Sequence, residues 1–108
     1  MTISLYDNCR EKRVRSRTVG SVLQVNFGNL QVLDHTETVN LNSLMKKSPK
    51  TLSVRIDMSH VLMLPSGFFG ALLDNVEAGR RVFLVNATPR IQSLIGYQKF
   101  VTNGEVHL

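Results

Sequence analysis

The sequence predicts a small α/β domain, centred on a strand, a turn, a helix and a second strand in succession. Residues 51–57 form one apolar strand candidate, and residues 81–85 form another after Gly79. Between them, four apolar residues recur at the i, i+3, i+4, i+7 spacing of one buried helix face: Phe69, Leu72, Leu73 and Val76. This order predicts a βαβ unit, in which the two strands are parallel and the crossover is right-handed.

The chain before this unit predicts a hairpin. Residues 1–12 are interpreted as a loose lead-in. Residues 14–18 and 21–27 have strand character and join at Gly20, which is typical of two antiparallel strands. Alternate residues of the second strand make a credible core face: Leu23, Val25 and Phe27.

Two further helices are predicted. The first follows an irregular connection at residues 30–36 and ends at Lys47, because Pro49 disfavours helix in the residue before it. Its inward residues have helical spacing: Leu41, Leu44 and Met45. The second begins at Thr88-Pro89, an N-cap followed by proline at the first helical position, and ends at Gly96. Its inward residues are Ile91, Leu94 and Ile95.

The composition fits one domain over residues 1–108, because 43% hydrophobic residues supply one core. Residues 101–108 are a polar C-terminal tail, in which residues 106–108 are either an edge strand or disordered. No apolar run approaches the roughly 20 residues of a membrane span, and residues 1–8 lack the pattern of a secretory signal. With Cys9 as the single cysteine, we expect a soluble cytoplasmic protein without a membrane span.

The net charge of +5 is concentrated near the N-terminus. Five basic residues fall within eight positions: Arg10, Lys12, Arg13, Arg15 and Arg17. On a strand, Arg13, Arg15 and Arg17 would face the same side, where they could meet phosphates, acidic lipid or an acidic protein. The alternative is a solvated edge strand whose charges discourage pairing between sheets. We favour the edge strand and do not expect a nucleic-acid partner, because no aromatic residues for stacking accompany the arginines.

The stretch from Leu64 to Gly70 contains the candidate site. Pro65 fixes its own φ and makes Leu64 extended, which predicts a rigid exit from the preceding strand. Ser66 is then placed to cap the following helix. A phosphate on Ser66 would meet free N–H groups at the positive end of that helix and would add about −2 charge. A capping role alone and a phosphorylation switch are both open.

Phe68 is a candidate anchor for a partner. If Phe69 and Leu72 face the sheet, Phe68 and Ala71 lie on the exposed flank of the helix. Aromatic residues dominate the energetics of many interfaces. The alternative is burial of Phe68 against Leu62 or Met63 in the preceding loop.

The sequence offers little for catalysis, a metal or a cofactor. The histidines and the cysteine are scattered without the spacing of metal ligands: His35, His60, His107 and Cys9. No glycine-rich phosphate loop is present, and Ser66 lacks the flanking glycines of a nucleophile elbow. Asp57 is interpreted as a turn residue at a strand end and Asp74 as a solvated helix position. We therefore expect a protein that is not an enzyme and needs no cofactor.

The central residues resemble those of the STAS domain, named for sulfate transporters and anti-sigma factor antagonists. The similarity lies in five short segments: Asp57-Met58-Ser59, Ser66-Gly67, Gly70-Ala71-Leu72-Leu73, Val82–Asn86 and the helix opened by Pro89. The resemblance covers roughly residues 20–100, and its motifs lie within residues 51–95. It implies a four- or five-stranded mixed sheet with helices packed mainly on one face.

The resemblance also implies a binding role without catalysis. In the family, a serine before a helix glycine is phosphorylated by a partner kinase, and the phosphate switches affinity for the kinase or anti-sigma factor. Ser66 and Gly67 match that part of the motif, so Ser66 is the phosphoacceptor candidate. The expected partner-binding residues surround it: Pro65, Ser66, Gly67, Phe68 and Ala71.

An alternative function keeps the fold without phosphorylation. The family motif has an acidic residue where this chain has Leu64-Pro65 before Ser66, and its absence favours a STAS-like adaptor subunit of a larger signalling or membrane-transport assembly. The exposed edge strand also leaves a homodimer open.

Overall fold

A computed structural model describes residues 14–95 and 106–108, and the predicted lead-in lies outside them. The described chain forms five strands and three helices. In chain order they are β1 (Arg15–Val19), β2 (Val22–Asn26), α1 (His35–Lys47), β3 (Ser53–Asp57), α2 (Phe68–Glu77), β4 (Val82–Val85), α3 (Pro89–Ile95) and β5 (Val106–His107).

The strands make one mixed sheet in the order β1-β2-β3-β4-β5. The pairs β2–β3 and β3–β4 are parallel, whereas β1 and β5 are antiparallel to their neighbours. The parallel pair of the predicted βαβ unit is therefore confirmed. Within the predicted polar tail, residues 106 and 107 form the edge strand rather than a disordered end.

The predicted hairpin is also confirmed, and a two-residue turn at Gly20-Ser21 joins its strands. Gly20 has a φ of 61°, a left-handed conformation that glycine adopts without a steric penalty. Positive φ at the first of two central residues matches a type II′ turn, whose twist suits a hairpin.

The core lies on one face of the sheet, because side chains alternate between the two faces of each strand. The buried strand residues are Leu23, Val25, Val54, Ile56, Val82 and Leu84. All three helices add buried side chains to the same cluster: Leu41, Met45, Phe68, Leu72 and Ile91. Within the part of the chain that the structure describes, no helix is long and apolar enough to cross a membrane.

Helix α1 begins with a capping box that the sequence analysis did not identify. The Oδ1 of Asp34 accepts a hydrogen bond from the N–H of Thr36 at 2.8 Å. In return, Glu37 accepts one from the N–H of Asp34 at 2.7 Å, and its side chain is buried. These bonds satisfy N–H groups that a helix start otherwise leaves unpaired.

At the other end of α1, the buried Arg80 makes a hydrogen bond to the C-cap residue. Its Nη2 donates a hydrogen bond to the backbone oxygen of Ser48, the C-cap of α1, at 2.9 Å. The residue is buried, and burial lowers the pKa of its guanidinium group. Arg80 therefore ties the chain entering β4 to the end of α1.

Helix α2 is rotated relative to the prediction. Phe68 and Leu72 are fully buried, whereas Leu73 is 43% exposed. The Phe68 ring lies 6.2 Å from that of Phe27 and 5.7 Å from that of Phe69, centroid to centroid. The predictions that Phe68 is an exposed anchor and that Leu73 faces the core are therefore wrong.

Helix α3 begins as predicted, because the Oγ1 of Thr88 accepts a hydrogen bond from the N–H of Ile91 at 3.4 Å. Ile91 is buried, but Leu94 is 60% exposed, so its predicted inward orientation is wrong. The side chain of Ile95 and the predicted helix end at Gly96 lie outside the described residues.

We expect Phe68→Ala to lower the free energy of unfolding by about 3–5 kcal/mol, because it removes a fully buried ring from the core. The matched control is Leu73→Ala on the exposed side of the same helix, with an expected change below about 1 kcal/mol. Urea denaturation followed by circular dichroism measures both. Equal losses for the two variants would contradict the rotation of α2 described above.

Candidate functional site

The candidate site lies on the loop of residues 58–67, which connects β3 to α2. A neighbouring segment holds its backbone: the N–H groups of Leu62 and Met63 donate to the oxygen of Gln31 at 2.7 and 3.1 Å. Leu33 in turn donates its N–H to the oxygen of Met63 at 3.0 Å. These bonds surround a parallel bridge between Val32 and Met63, so the middle of the loop has a defined conformation.

A second anchor comes from the start of α3. The Thr88 hydroxyl donates a hydrogen bond to the oxygen of Val61 at 2.8 Å, while Val61 donates its N–H to Met58 at 3.0 Å. Val61 is buried. Hydrogen bonds to residues 31–33 and to Thr88 therefore hold residues 61–63 of the loop, shortly before Ser66.

Ser66 is exposed and does not cap α2. Gly67 is the N-cap residue, with φ −82° and ψ −3°, and no side chain makes a capping hydrogen bond there. The predicted capping role of Ser66 is therefore wrong. Ser66 is thus an exposed residue whose hydroxyl makes no capping hydrogen bond at the helix start.

Pro65 contributes to the start of α2. β3 ends at Asp57, as predicted, and a loop segment separates it from Pro65, so the effect of this proline on the exit from the strand stays a prediction. The oxygen of Pro65 accepts a hydrogen bond from the N–H of Phe68 at 3.1 Å. Pro65 thus forms the turn that places Ser66 immediately before α2.

The exposed side of α2 continues from Ser66 along the helix. Its residues follow helical spacing and form what we term the α2 stripe: Gly70, Leu73, Asp74 and Glu77. Ala71 and Pro65 are half-buried beside it. A Cβ atom added to Gly67 or Gly70 would meet no atom within 4 Å, so packing in the described structure requires neither glycine.

Three apolar side chains on the loop and on the segment bonded to it are exposed. Val32, Leu62 and Met63 expose between 40% and 56% of their surface. Backbone hydrogen bonds between residues 31–33 and 62–63 place the three residues on neighbouring segments. We call them the apolar patch. Exposed apolar side chains that lie close together are typical of surfaces that bind another molecule.

The carboxyl ends of the parallel strands carry a separate group of polar residues. The Oδ1 of Asp57 accepts hydrogen bonds from the N–H of Ser59 at 2.9 Å and from the Asn86 amide at 3.4 Å. Asn86 has a φ of 57°, a conformation that asparagine tolerates better than most residues. These bonds organise turns, so Asp57 is a strand-end turn residue as predicted.

The structure brings no metal ligands together in residues 14–95 and 106–108: three or more His, Cys, Asp or Glu side chains do not cluster there. Comparison with known proteins gives no match to a protein-family model. No curated protein matches the chain at a significant level either. The similarity to STAS domains therefore rests on the motifs in residues 51–95 and stays a prediction.

We expect Ser66→Ala to change the free energy of unfolding by no more than about 0.5 kcal/mol, because its hydroxyl caps nothing. The matched control is Thr88→Ala, which removes a hydroxyl that bonds both Val61 and Ile91. Its expected loss is about 1–2 kcal/mol. Thermal or urea denaturation checks the pair, and an equally large loss for Ser66→Ala would show that this hydroxyl has a structural role.

Proposed function

We propose that this chain is a STAS-like protein-interaction module whose affinity for a protein partner is switched by phosphorylation of Ser66. The observation that carries the proposal is the exposed Ser66 on a fixed loop immediately before α2. A kinase needs an accessible hydroxyl. For phosphorylation to act as a switch, that hydroxyl must also lie within the surface to which the partner binds.

The position of Ser66 between two exposed features supports a switch. Along the chain, Ser66 follows Leu62 and Met63 of the apolar patch and precedes the α2 stripe, which begins with Gly70. Phosphorylation adds about −2 charge, which disfavours docking of an apolar partner surface and favours an arginine-rich one. A single modification at Ser66 can therefore change which partner binds.

Gly70 supports a close approach of a partner to α2. Glycine within a helix is about 1 kcal/mol less favourable than alanine. In the described structure no atom lies close enough to Gly70 to exclude a larger side chain. A partner whose backbone packs against the helix at this point would account for the glycine. The partner surface then includes Ser66, Gly67 and Gly70, whereas the buried Phe68 is not part of it.

The architecture and the motifs support the class of partner. A mixed sheet with helices packed against one face agrees with the arrangement implied by the STAS resemblance. In that family, the partners are a serine kinase and an anti-sigma factor. We propose a partner of this kind for the surface around Ser66.

One sequence feature favours a second function, a STAS-like adaptor that is not phosphorylated. Leu64-Pro65 replaces the acidic part of the family motif before Ser66. A kinase that reads that acid would not recognise the site. The apolar patch and the α2 stripe would then dock permanently on a larger signalling or membrane-transport assembly.

The direct test is phosphosite mapping of the native protein by mass spectrometry, together with affinity capture using wild type, Ser66→Ala and Ser66→Asp. We expect a phosphate on Ser66 and a partner that binds Ser66→Ala but not Ser66→Asp, or the reverse. Ser93→Asp, an exposed serine on α3, is the control for added charge. An unmodified Ser66 and identical partners for all variants would instead support the adaptor.

A second variant separates binding from folding. Gly70→Ala is expected to raise the free energy of unfolding by about 0.5–1 kcal/mol, because it improves helix propensity without a clash. The same change should weaken partner binding, since the new methyl group occupies the close approach. Ser43→Ala, which also improves helix propensity but lies at an exposed position of α1 outside the α2 stripe, is the matched control in denaturation and binding measurements. Unchanged partner binding by Gly70→Ala would exclude docking at this position.

A further inference from the structure

The face of the sheet opposite the core carries a different chemistry from the rest of the molecule. We call it the open face and define it by the residues that alternate with the buried ones in β2, β3 and β4, together with their register partners in β1 and β5. Its residues are Arg15, Arg17, Val19, Val22, Gln24, Asn26, Ser53, Arg55, Asp57, Phe83, Val85 and His107. All of them are half-buried or exposed.

The strand register aligns one residue from every strand in a single row across this face. Arg17 pairs with Gln24, and Gln24 pairs with Arg55. Arg55 pairs with Phe83, which pairs with His107. Because neighbouring strands lie about 4.8 Å apart, the row spans about 19 Å. We call it the central row.

Three neighbouring pairs of side chains in the central row are in contact. The Nε of Arg17 donates a hydrogen bond to the Gln24 oxygen at 3.3 Å. The guanidinium carbon of Arg55 lies 5.6 Å from the centroid of the Phe83 ring, within the range of a cation–π contact. The Phe83 ring stacks on that of His107, with centroids 4.4 Å apart and planes inclined by 22°. The row therefore combines two arginines, Arg17 and Arg55, with two stacked rings, Phe83 and His107.

Among the described residues, the charges on the open face are mainly basic. Arg15, Arg17 and Arg55 lie on it, and the exposed Arg81 precedes Phe83 by two residues in the same alternation. Its one acidic residue among the described strands is Asp57, at the end of β3. The other described acids belong to the start of α1 and to α2: Asp34, Glu37, Asp74 and Glu77.

We propose that the open face binds single-stranded nucleic acid. A base extends the stack of Phe83 and His107, whose side chain is exposed, while phosphates lie beside Arg17 and Arg15. Single-strand binding proteins combine these two elements, since aromatic groups stack on bases and a basic groove follows the backbone. A row of about 19 Å can contact several successive nucleotides.

The structure removes the objection that the sequence raised. Along the strand, no aromatic residue accompanies the arginines of β1, and this absence argued against nucleic acid. Across the sheet, the register places Phe83 and His107 in the same row as Arg17.

The row favours single strands over duplexes, because a duplex hides the base faces that would stack on His107. It favours nucleic acid over an acidic protein, because the planar groups would have no role in a purely electrostatic contact.

The test is fluorescence anisotropy with labelled oligo-dT and oligo-U of about 12 nucleotides, within the site sizes of known single-strand binding folds. The full chain should bind both, with affinity that falls as salt rises. Arg17→Gln should weaken binding several-fold and reduce the slope of log Kd against log salt by about 0.7. Phe83→Leu should weaken binding on the order of tenfold at an unchanged salt slope.

Two control variants distinguish the loss of open-face contacts from a general loss of positive charge and from the loss of an aromatic ring elsewhere in the domain. Arg90→Gln removes the same charge from α3, and Phe69→Leu makes the same exchange beside the core. Both should bind as wild type does. Circular dichroism melting shows whether each variant is folded, and an unfolded Phe83→Leu is replaced by His107→Gln, which should weaken binding in the same way.

The proposal is overturned if the wild type does not bind single strands at low salt. It is also overturned if Arg90→Gln and Arg17→Gln lose equal affinity, or if heparin, duplex DNA or anionic phospholipid vesicles bind more tightly than single strands. Tighter binding of heparin, duplex DNA or vesicles would show that the arginines contact a polyanion, a duplex or a lipid surface instead. Loss of phosphorylation at Ser66 has no bearing on any of these measurements, so the two proposals fail independently.

Discussion

The packing of Phe68 against the sheet determines what α2 shows to solvent. Its ring meets Phe27 at the end of β2 and is fully buried, which fixes the rotation of the helix about its axis. Residues two and five positions farther along, Gly70 and Leu73, must then face outward, because a helix turns about 100° per residue. Ser66, which precedes the N-cap residue Gly67, is exposed as well. The helical part of the candidate partner surface is thus a consequence of one core contact.

A second constraint is the alternation of side chains along each strand. In β3, Val54 and Ile56 enter the core, while Arg55 between them must lie on the opposite face. The parallel register repeats this pattern in β2 and β4, so polar and aromatic residues from distant parts of the sequence form rows. A shift of one residue in the register would exchange the two faces. The burial of the apolar residues therefore also holds the central row in place.

Periodicity and turn residues were sufficient to predict the hairpin, the parallel pair and the start of α3, because these depend on local signals such as Gly20 and Thr88-Pro89. They were not sufficient to orient α2. Five apolar residues at positions 68, 69, 72, 73 and 76 are compatible with two helix faces, and only contact with Phe27 selects one. The spacing of Asp34 and Glu37 was a readable signal for the capping box. The central row had no such signal, because its residues come from five strands and meet only through the register.

The two candidate surfaces depend on the same strand but not on the same atoms. β3 supports the core through Val54 and Ile56, so a change at either would disturb the loop before Ser66 and the open face together. Ser66 and Arg17, by contrast, are exposed and make no bond to one another, and substitutions at separate sites without shared partners act almost additively. A phosphate on Ser66 can therefore affect Arg17 only by long-range electrostatic interaction. Salt screens this interaction over about 10 Å. A small domain of this kind can therefore carry a protein-binding surface and an anion-binding face as separate functions, because the two surfaces lie on different elements and the two faces of the sheet differ in chemistry.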